Sequence, residues 1–209
     1  MNQVKKLKQV ENLSYFDRPT LGQIINVKKK ALYENISRWV SQEKLIQLKN
    51  GLYVTGKYYN GLENKEAYVE FIANRLRFPS YLSLEYILQK YSLISESVYA
   101  YTSVTLKTKN EYQNKLGRFI YRNISKDLFD GFEIKEKNGF EIKQASAAKA
   151  LFDYLYLKFY RKKNINRALL NSLRLNLEEL NSHDKSELER FCQRTNIEKF
   201  AKLPSLLFS

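Results

Sequence analysis

An α+β chain in two modules is the fold class this sequence predicts. An N-terminal winged helix-turn-helix covers residues 1–57, a junction covers 58–64, and an α+β domain with a small antiparallel or mixed sheet and several helices covers 65–209. Three observations predict it. The stretch from Asn26 to Thr55 reads as one amphipathic helix followed by one hairpin with a basic tip. After residue 64, helical periods give way to β-branched and aromatic runs and then to a helix that is apolar nearly all round. Charge is uneven as well: of a formal net +14, residues 1–57 carry +7, with eleven Lys/Arg against four Asp/Glu, and the remaining 152 residues carry the other +7. That concentration fits an electrostatic footprint on nucleic acid better than a uniformly basic surface would.

The elements run in this order. Val4, Leu7, Val10 and Leu13 recur at spacing three, so a first helix is expected over Asn2 to Asn12. Asp17 caps a second, with Pro19 in its first turn and Leu21, Ile24 and Ile25 on its inner face. Asn26 is read as the cap of the third, the helix expected to enter the major groove. Leu32, Ile36, Trp39 and Val40 form its apolar side; Lys30, Glu34, Ser37, Arg38 and Ser41 form the other. Lys28, Lys29 and Lys30 fall in its first turn, where they oppose the helix dipole, a local cost that a polyanion would offset. Leu45-Ile-Gln-Leu and Leu52-Tyr-Val-Thr then make a hairpin across Asn50-Gly51, a turn in which both residues are expected at positive φ. Tyr58-Tyr-Asn-Gly-Leu-Glu-Asn supplies the junction.

In the second module, helices are expected over Lys65 to Leu76 and Ser83 to Tyr91, and strands in Val98 to Leu106, Gly117 to Arg122 and Phe132 to Lys137. The last pairs with Phe140 to Gln144 through Asn138-Gly139. Ala147 to Tyr160 is the central buried helix, and shorter helices come after it around Arg167 to Leu175, Asp184 to Gln193 and Glu198 to Lys202. The tail Leu203-Pro-Ser-Leu-Leu-Phe either packs on its own module or forms an exposed apolar patch.

No enzyme reading assembles. Gly51 to Tyr58 nearly spells a phosphate-binding loop, but Tyr58 stands where Ser or Thr must hold magnesium, and the glycines bracket a strand. His183 is the sole histidine and Cys192 the sole cysteine, which leaves neither a metal cage nor an internal disulfide. His183-Asp184 reads as a helix start and Cys192 as a small core residue beside Leu188 and Phe191. No apolar run reaches bilayer length and the N-terminus lacks a secretory signal, so a cytoplasmic protein with no membrane partner and no cofactor is expected.

Five motifs carry a family resemblance: the N-terminal module ending in Asn50-Gly-Leu-Tyr-Val, then Pro79-Ser-Tyr-Leu-Ser-Leu-Glu, Tyr101-Thr-Ser-Val-Thr, Leu116-Gly-Arg-Phe-Ile-Tyr-Arg and Ala148-Lys-Ala-Leu-Phe-Asp-Tyr-Leu-Tyr-Leu. In this order and approximate spacing, from about Tyr15 to Leu157, they resemble the AbiEi family of antitoxins. The chain departs from that family at Ala147-Ala148, where Pro-Glu is usual, and at Ser95, where a proline is usual. The resemblance implies a type IV toxin-antitoxin (abortive infection) system, with this protein as antitoxin and DNA-binding transcriptional autorepressor, and a nucleotidyltransferase toxin encoded alongside as its partner. The Gly-Ser and paired aspartates of a nucleotidyltransferase are absent from this chain.

The candidate contacts to double-stranded DNA of its own promoter are Lys28 and Lys29 on phosphate, Lys30, Tyr33, Ser37 and Arg38 toward the groove, and Lys49 and Asn50 at the hairpin tip. Lys107, Lys109, Lys115, Arg118 and Arg122, around the second module's strands, could complement the carboxylates that the implied toxin gathers around its metal ions. An alternative stays open on the residues alone: a basic winged-helix accessory protein that binds structured RNA or another protein.

Overall fold

A computed structural model describes residues 6–208 as an α+β protein with a three-stranded antiparallel sheet and a six-stranded mixed sheet. The chain divides into two compact units, Met1–Val69 with Tyr112–Gly117, and Glu70–Glu111 with Arg118–Ser209.

The first unit opens with a 3₁₀ turn, Leu7–Val10, shorter than the expected helix, whose residues 2–5 lie outside the described ones. Strand β1 (Phe16–Asp17) leads into helix α1 (Arg18–Ile25), where the Asp17 carboxylate accepts from the Thr20 amide at 2.9 Å and Pro19 occupies the first turn. Asn26 corrects the sequence reading. It ends α1 in the left-handed conformation, φ 50°, with its N–H bonded to the Gly22 carbonyl, and does not cap the next helix. Asn tolerates that conformation better than other residues with a Cβ, and its short side chain serves either end of a helix. Helix α2 (Lys29–Ser41) starts three residues later, from Lys28, with no side-chain cap.

Strands β2 (Leu45–Lys49) and β3 (Leu52–Thr55) form the expected hairpin, and β3 lies between β1 and β2. Its turn differs from the expected one. Gly51 sits at φ 80° while Asn50 does not enter positive φ, and the pairing register shifts between Gln47 and Lys49. An extra residue in the ladder has replaced the doubly left-handed turn. Leu21, Ile25, Leu32, Ile36, Trp39, Leu45 and Tyr53 close one core with Leu7, Val10 and Phe16. Residues 58–64 are not a plain junction: Gly56–Asn60 is a short helix, α3, capped by Thr55. A Cβ at Gly56 would lie 2.1 Å from the Glu43 carbonyl oxygen, so this glycine serves close backbone packing and no phosphate loop.

Helix α4 (Lys65–Leu76) begins in the first unit and ends in the second. The second unit contains β4 (Ser80–Leu82), α5 (Glu85–Lys90), β5 (Ala100–Thr105), β7 (Gly117–Asn123), β8 (Phe132–Lys137) and β9 (Phe140–Ala145). With β6 (Asn110–Asn114), these strands run in the order β6-β7-β5-β4-β9-β8. The sheet is mixed: β5 runs parallel to β7 and β4 to β9, whereas β4–β5 and β8–β9 are antiparallel. The β8–β9 turn is the doubly left-handed one, with Asn138 at φ 50° and Gly139 at φ 80°. Helix α6 (Ala147–Phe159) is the buried helix, and α7 (Arg167–Asn171), α8 (Ser182–Arg194), α9 (Glu198–Ala201) and α10 (Leu203–Phe208) complete the chain. The apolar tail is therefore helical, with Leu203 fully buried and Leu206, Leu207 and Phe208 half-buried.

Two charge clusters lie inside this unit. Lys149 and Asp153, one helical turn apart on α6, are both fully buried and paired at 2.7 Å. Glu70 is fully buried too, and receives Tyr86 Oη at 2.7 Å, Lys137 Nζ at 3.0 Å and Lys90 Nζ. Burial alone would raise the Glu70 carboxyl. The bonds from Lys90, Tyr86 and Lys137 outweigh it and hold the group below its ordinary 4.5. A carboxylate with a depressed folded-state pKa contributes stability above its unfolded value, and that contribution is lost as pH falls through the folded one. Glu70→Gln should therefore lower stability at pH 7 and flatten the loss of stability below about pH 4.5, measured by urea unfolding from pH 7 to pH 3. An unchanged acid limb would show that other carboxylates govern it.

Candidate nucleic-acid interface

Helix α2 buries Leu32, Ile36 and Trp39 and turns Lys29, Lys30, Tyr33, Glu34, Ser37, Arg38 and Ser41 outward. Trp39 is fully buried, so it is a core residue and not a stacking platform. No acidic residue sits in the first turn; Lys29 and Lys30 are exposed there, and Lys28 is exposed just before it, at the cap position. Among the described residues, none of these lysines and no part of Arg38 pairs with a carboxylate, whereas Lys57 pairs with Glu11 and Lys115 with Glu43 in the same unit. Cations left unpaired at the positive end of a helix dipole gain most from an external anion.

Arg38 is not loose. Its Nη2 donates to Asn35 Oδ1 at 2.6 Å, and Asn35 is itself buried, so the guanidinium leaves the helix from a fixed base. At the hairpin, Lys49 is half-buried opposite Leu52, and Asn50 is exposed at the tip. The sequence reading missed the residue that joins these parts. Arg18, first residue of α1, donates from Nη1 to Tyr33 Oη at 3.0 Å and from Nη2 to Asn50 Oδ1 at 2.6 Å, and its guanidinium carbon lies 4.7 Å from the Tyr33 ring centroid. Its own amide donates to the Gly51 carbonyl at 3.0 Å. A cation beside the capping Asp17 looks in sequence like a local helix-start pair. Only the pairing of β1 with β3 carries it to the hairpin tip.

The five basic residues of the strands are not one group. Lys115 falls in the first unit, where it bonds Glu43 at 2.7 Å. Lys107, Lys109, Arg118 and Arg122 are exposed in the second unit. Arg118 is held by Glu111, which raises its pKa through that hydrogen bond, while Arg122 forms no salt bridge among the described residues and acts on Glu111 only through its charge. Arg118, Ile120 and Arg122 share one face of β7 and line an open groove of about 360 Å³ with Leu84, Val98 and Tyr99. The side chain of Tyr99 is almost wholly exposed at that groove.

His183 lies in the first turn of α8, where Asn181 and Asp184 form a capping box. Cys192 is fully buried, and burial pushes its thiol up to about 12. Among the described residues, no three His, Cys, Asp or Glu side chains gather as a metal site, and no helix is long and apolar enough to cross a membrane. No protein-family model and no curated protein matches the chain.

Proposed function

We propose that the first unit acts as a winged helix-turn-helix that binds double-stranded DNA of the protein's own promoter, with α2 in the major groove and the β2–β3 hairpin as the wing. One observation carries this reading: Lys28 at the start of α2 and Lys29, Lys30 and Arg38 on its outer face have no carboxylate partner among the described residues, beside a hairpin that carries Lys49 and Asn50 at its tip. The resemblance of five sequence motifs to the AbiEi antitoxins supports the wider role. The protein is then the antitoxin and autorepressor of a type IV toxin-antitoxin system, and its second unit counters a nucleotidyltransferase toxin encoded alongside.

Fluorescence anisotropy of the full-length protein on its promoter duplex, a random duplex and an RNA hairpin tests the DNA reading across a salt titration. Arg38→Ala should weaken promoter binding by about 1–3 kcal/mol and leave random-duplex binding nearly as it was, because a bidentate arginine reads guanine. Lys28→Ala should weaken both duplexes alike and lower the salt slope by about one unit. Equal affinity of wild-type protein for all three ligands, or promoter binding unaffected by Arg38→Ala, would remove the groove assignment. Preference for the RNA hairpin would favour an RNA-binding accessory role.

A further inference from the structure

We infer that Arg18 is a phosphate-binding residue that also locks the hairpin tip to the outer face of α2. This rests on the DNA reading above and deepens it: the proposed groove helix and wing form a single preformed surface, joined through one guanidinium.

The geometry is specific. Arg18 touches α2 through the Tyr33 hydroxyl and ring and touches the hairpin through Asn50 Oδ1. Its amide bond to the Gly51 carbonyl fixes the backbone from which the side chain starts. A Cβ at Gly51 would lie 3.8 Å from Nη2, so the guanidinium rests on the turn. Every one of these partners is neutral, and among the described residues no carboxylate pairs with Arg18. A carboxylate partner would cancel the charge; a phenol, an amide and an aromatic face orient it and leave it intact. Of the five N–H donors in the planar fork of Arg18, Nη1 and Nη2 each give one to Tyr33 and Asn50, Tyr53 also bonds the guanidinium, and the Nε–H is buried. What is left on the Nη atoms is open to a backbone phosphate oxygen, and the orientation is already set before DNA arrives.

Two consequences separate this role from that of an ordinary surface cation. The positive charge should count in the salt dependence of binding. The planar fork should count separately, since lysine has the charge but cannot engage Tyr33, Asn50 and a phosphate at once. Asn50 should then owe most of its effect to Arg18, because the guanidinium holds its amide in place.

The test uses full-length Arg18→Ala, Arg18→Lys, Asn50→Ala and the Arg18→Ala/Asn50→Ala double variant on the promoter duplex, with thermal unfolding recorded for each. Arg18→Ala should weaken binding about tenfold or more and reduce the salt slope by about one unit. Arg18→Lys should restore the slope and leave a several-fold deficit, and the double variant should bind within about twofold of Arg18→Ala, the signature of coupled residues. Should Arg18→Ala fail to fold, Arg18→Lys decides: a several-fold deficit in the folded variant supports the lock, and wild-type affinity overturns it. Wild-type affinity and slope in folded Arg18→Ala, or additive losses in the double variant, also overturn it while Arg38→Ala still abolishes discrimination. Absence of salt-dependent duplex binding by the wild-type protein overturns both the inference and the reading beneath it.

Discussion

Lys149→Met is expected to destabilise the second unit by about 3–5 kcal/mol, the cost of removing one partner from a buried ion pair. The lysine has no exposed surface, and its Nζ lies 2.7 Å from Asp153 Oδ1 and 2.7 Å from the Leu128 carbonyl. Rings of Phe152 and Phe191 flank it at 4.8 and 5.1 Å, so little water replaces the lost donor. Asp153 would keep Tyr81 Oη at 2.9 Å and Ser83 Oγ at 2.7 Å, but its charge would lose the only cation in reach of it among the described residues. Burial already raises the Asp153 carboxyl above its ordinary value, against the opposing pull of Lys149, Ser83 and Tyr81. Without the lysine it rises further. A carboxyl with a raised folded-state pKa binds its proton more tightly when folded, so the deficit should be largest near pH 7 and shrink as the medium is acidified. Urea unfolding followed by far-UV circular dichroism at pH 7 and pH 5 measures this. Trp39 is the sole tryptophan and lies in the first unit, so its fluorescence tells whether the damage stays in the second. Lys149→Met/Asp153→Leu should recover only part of the loss: it removes the unpaired buried charge but leaves Tyr81 Oη, Ser83 Oγ and the Leu128 carbonyl without these partners. A deficit under about 1 kcal/mol in the single variant would mean that water or a neighbour relaxes into the site.

That pair shows where sequence reading stops. Helix α6 is legible as buried, since its apolar residues run nearly all round it, but nothing in that period shows that Lys149 and Asp153 are buried with them as a pair. Their burial depends on β4, whose Tyr81 and Ser83 neighbourhood supplies the donors, and β4 was not legible: Ser80–Leu82 is three residues long and comes directly after a proline, too short for any alternation to show. Strand β6 was missed for the opposite reason. Asn110–Asn114 is polar throughout and lies at the sheet edge, where no apolar face is demanded. Local chemistry was read well where it is self-contained, as at the Asp17 cap, the Asn138-Gly139 turn and helix α4, whose observed bounds match the expected ones. It failed at Asn26 and Asn50, whose backbone conformations are set by the packing of the helix and the hairpin on either side of them. The candidate interface divides in the same way: the exposure of Lys28, Lys29, Lys30 and Arg38 is dictated by helical period, whereas Arg18 reaches it through strand pairing across more than thirty residues of chain.

The two proposed activities should separate in the intact chain, and the larger effect on antitoxicity should come from Arg122. Deleting the first unit is a poor test, because α4 spans both units and Tyr112–Gly117 belongs with the first. Point variants avoid the problem. Arg118 and Arg122 are four residues apart on β7, about 13 Å along the strand, on one face with Ile120 between them. Glu111 already neutralises much of the charge at Arg118, so reversing that residue changes a paired site. Arg122 forms no salt bridge among the described residues and feels Glu111 only at longer range, and Arg122→Glu turns this less neutralised cation into an anion facing whatever approaches the groove. Both residues are exposed, so folding should shift by no more than about 0.5 kcal/mol. In cells expressing the proposed nucleotidyltransferase toxin, Arg122→Glu should lose growth rescue, Arg118→Glu should lose part of it, and Arg38→Ala should retain it while derepressing a promoter reporter. Like charges brought together at an interface cost several kcal/mol, enough to abolish a functional contact of ordinary affinity. Full rescue by Arg122→Glu would move the antitoxin activity away from this face of the sheet; loss of rescue in Arg38→Ala would tie neutralisation to the DNA-binding unit.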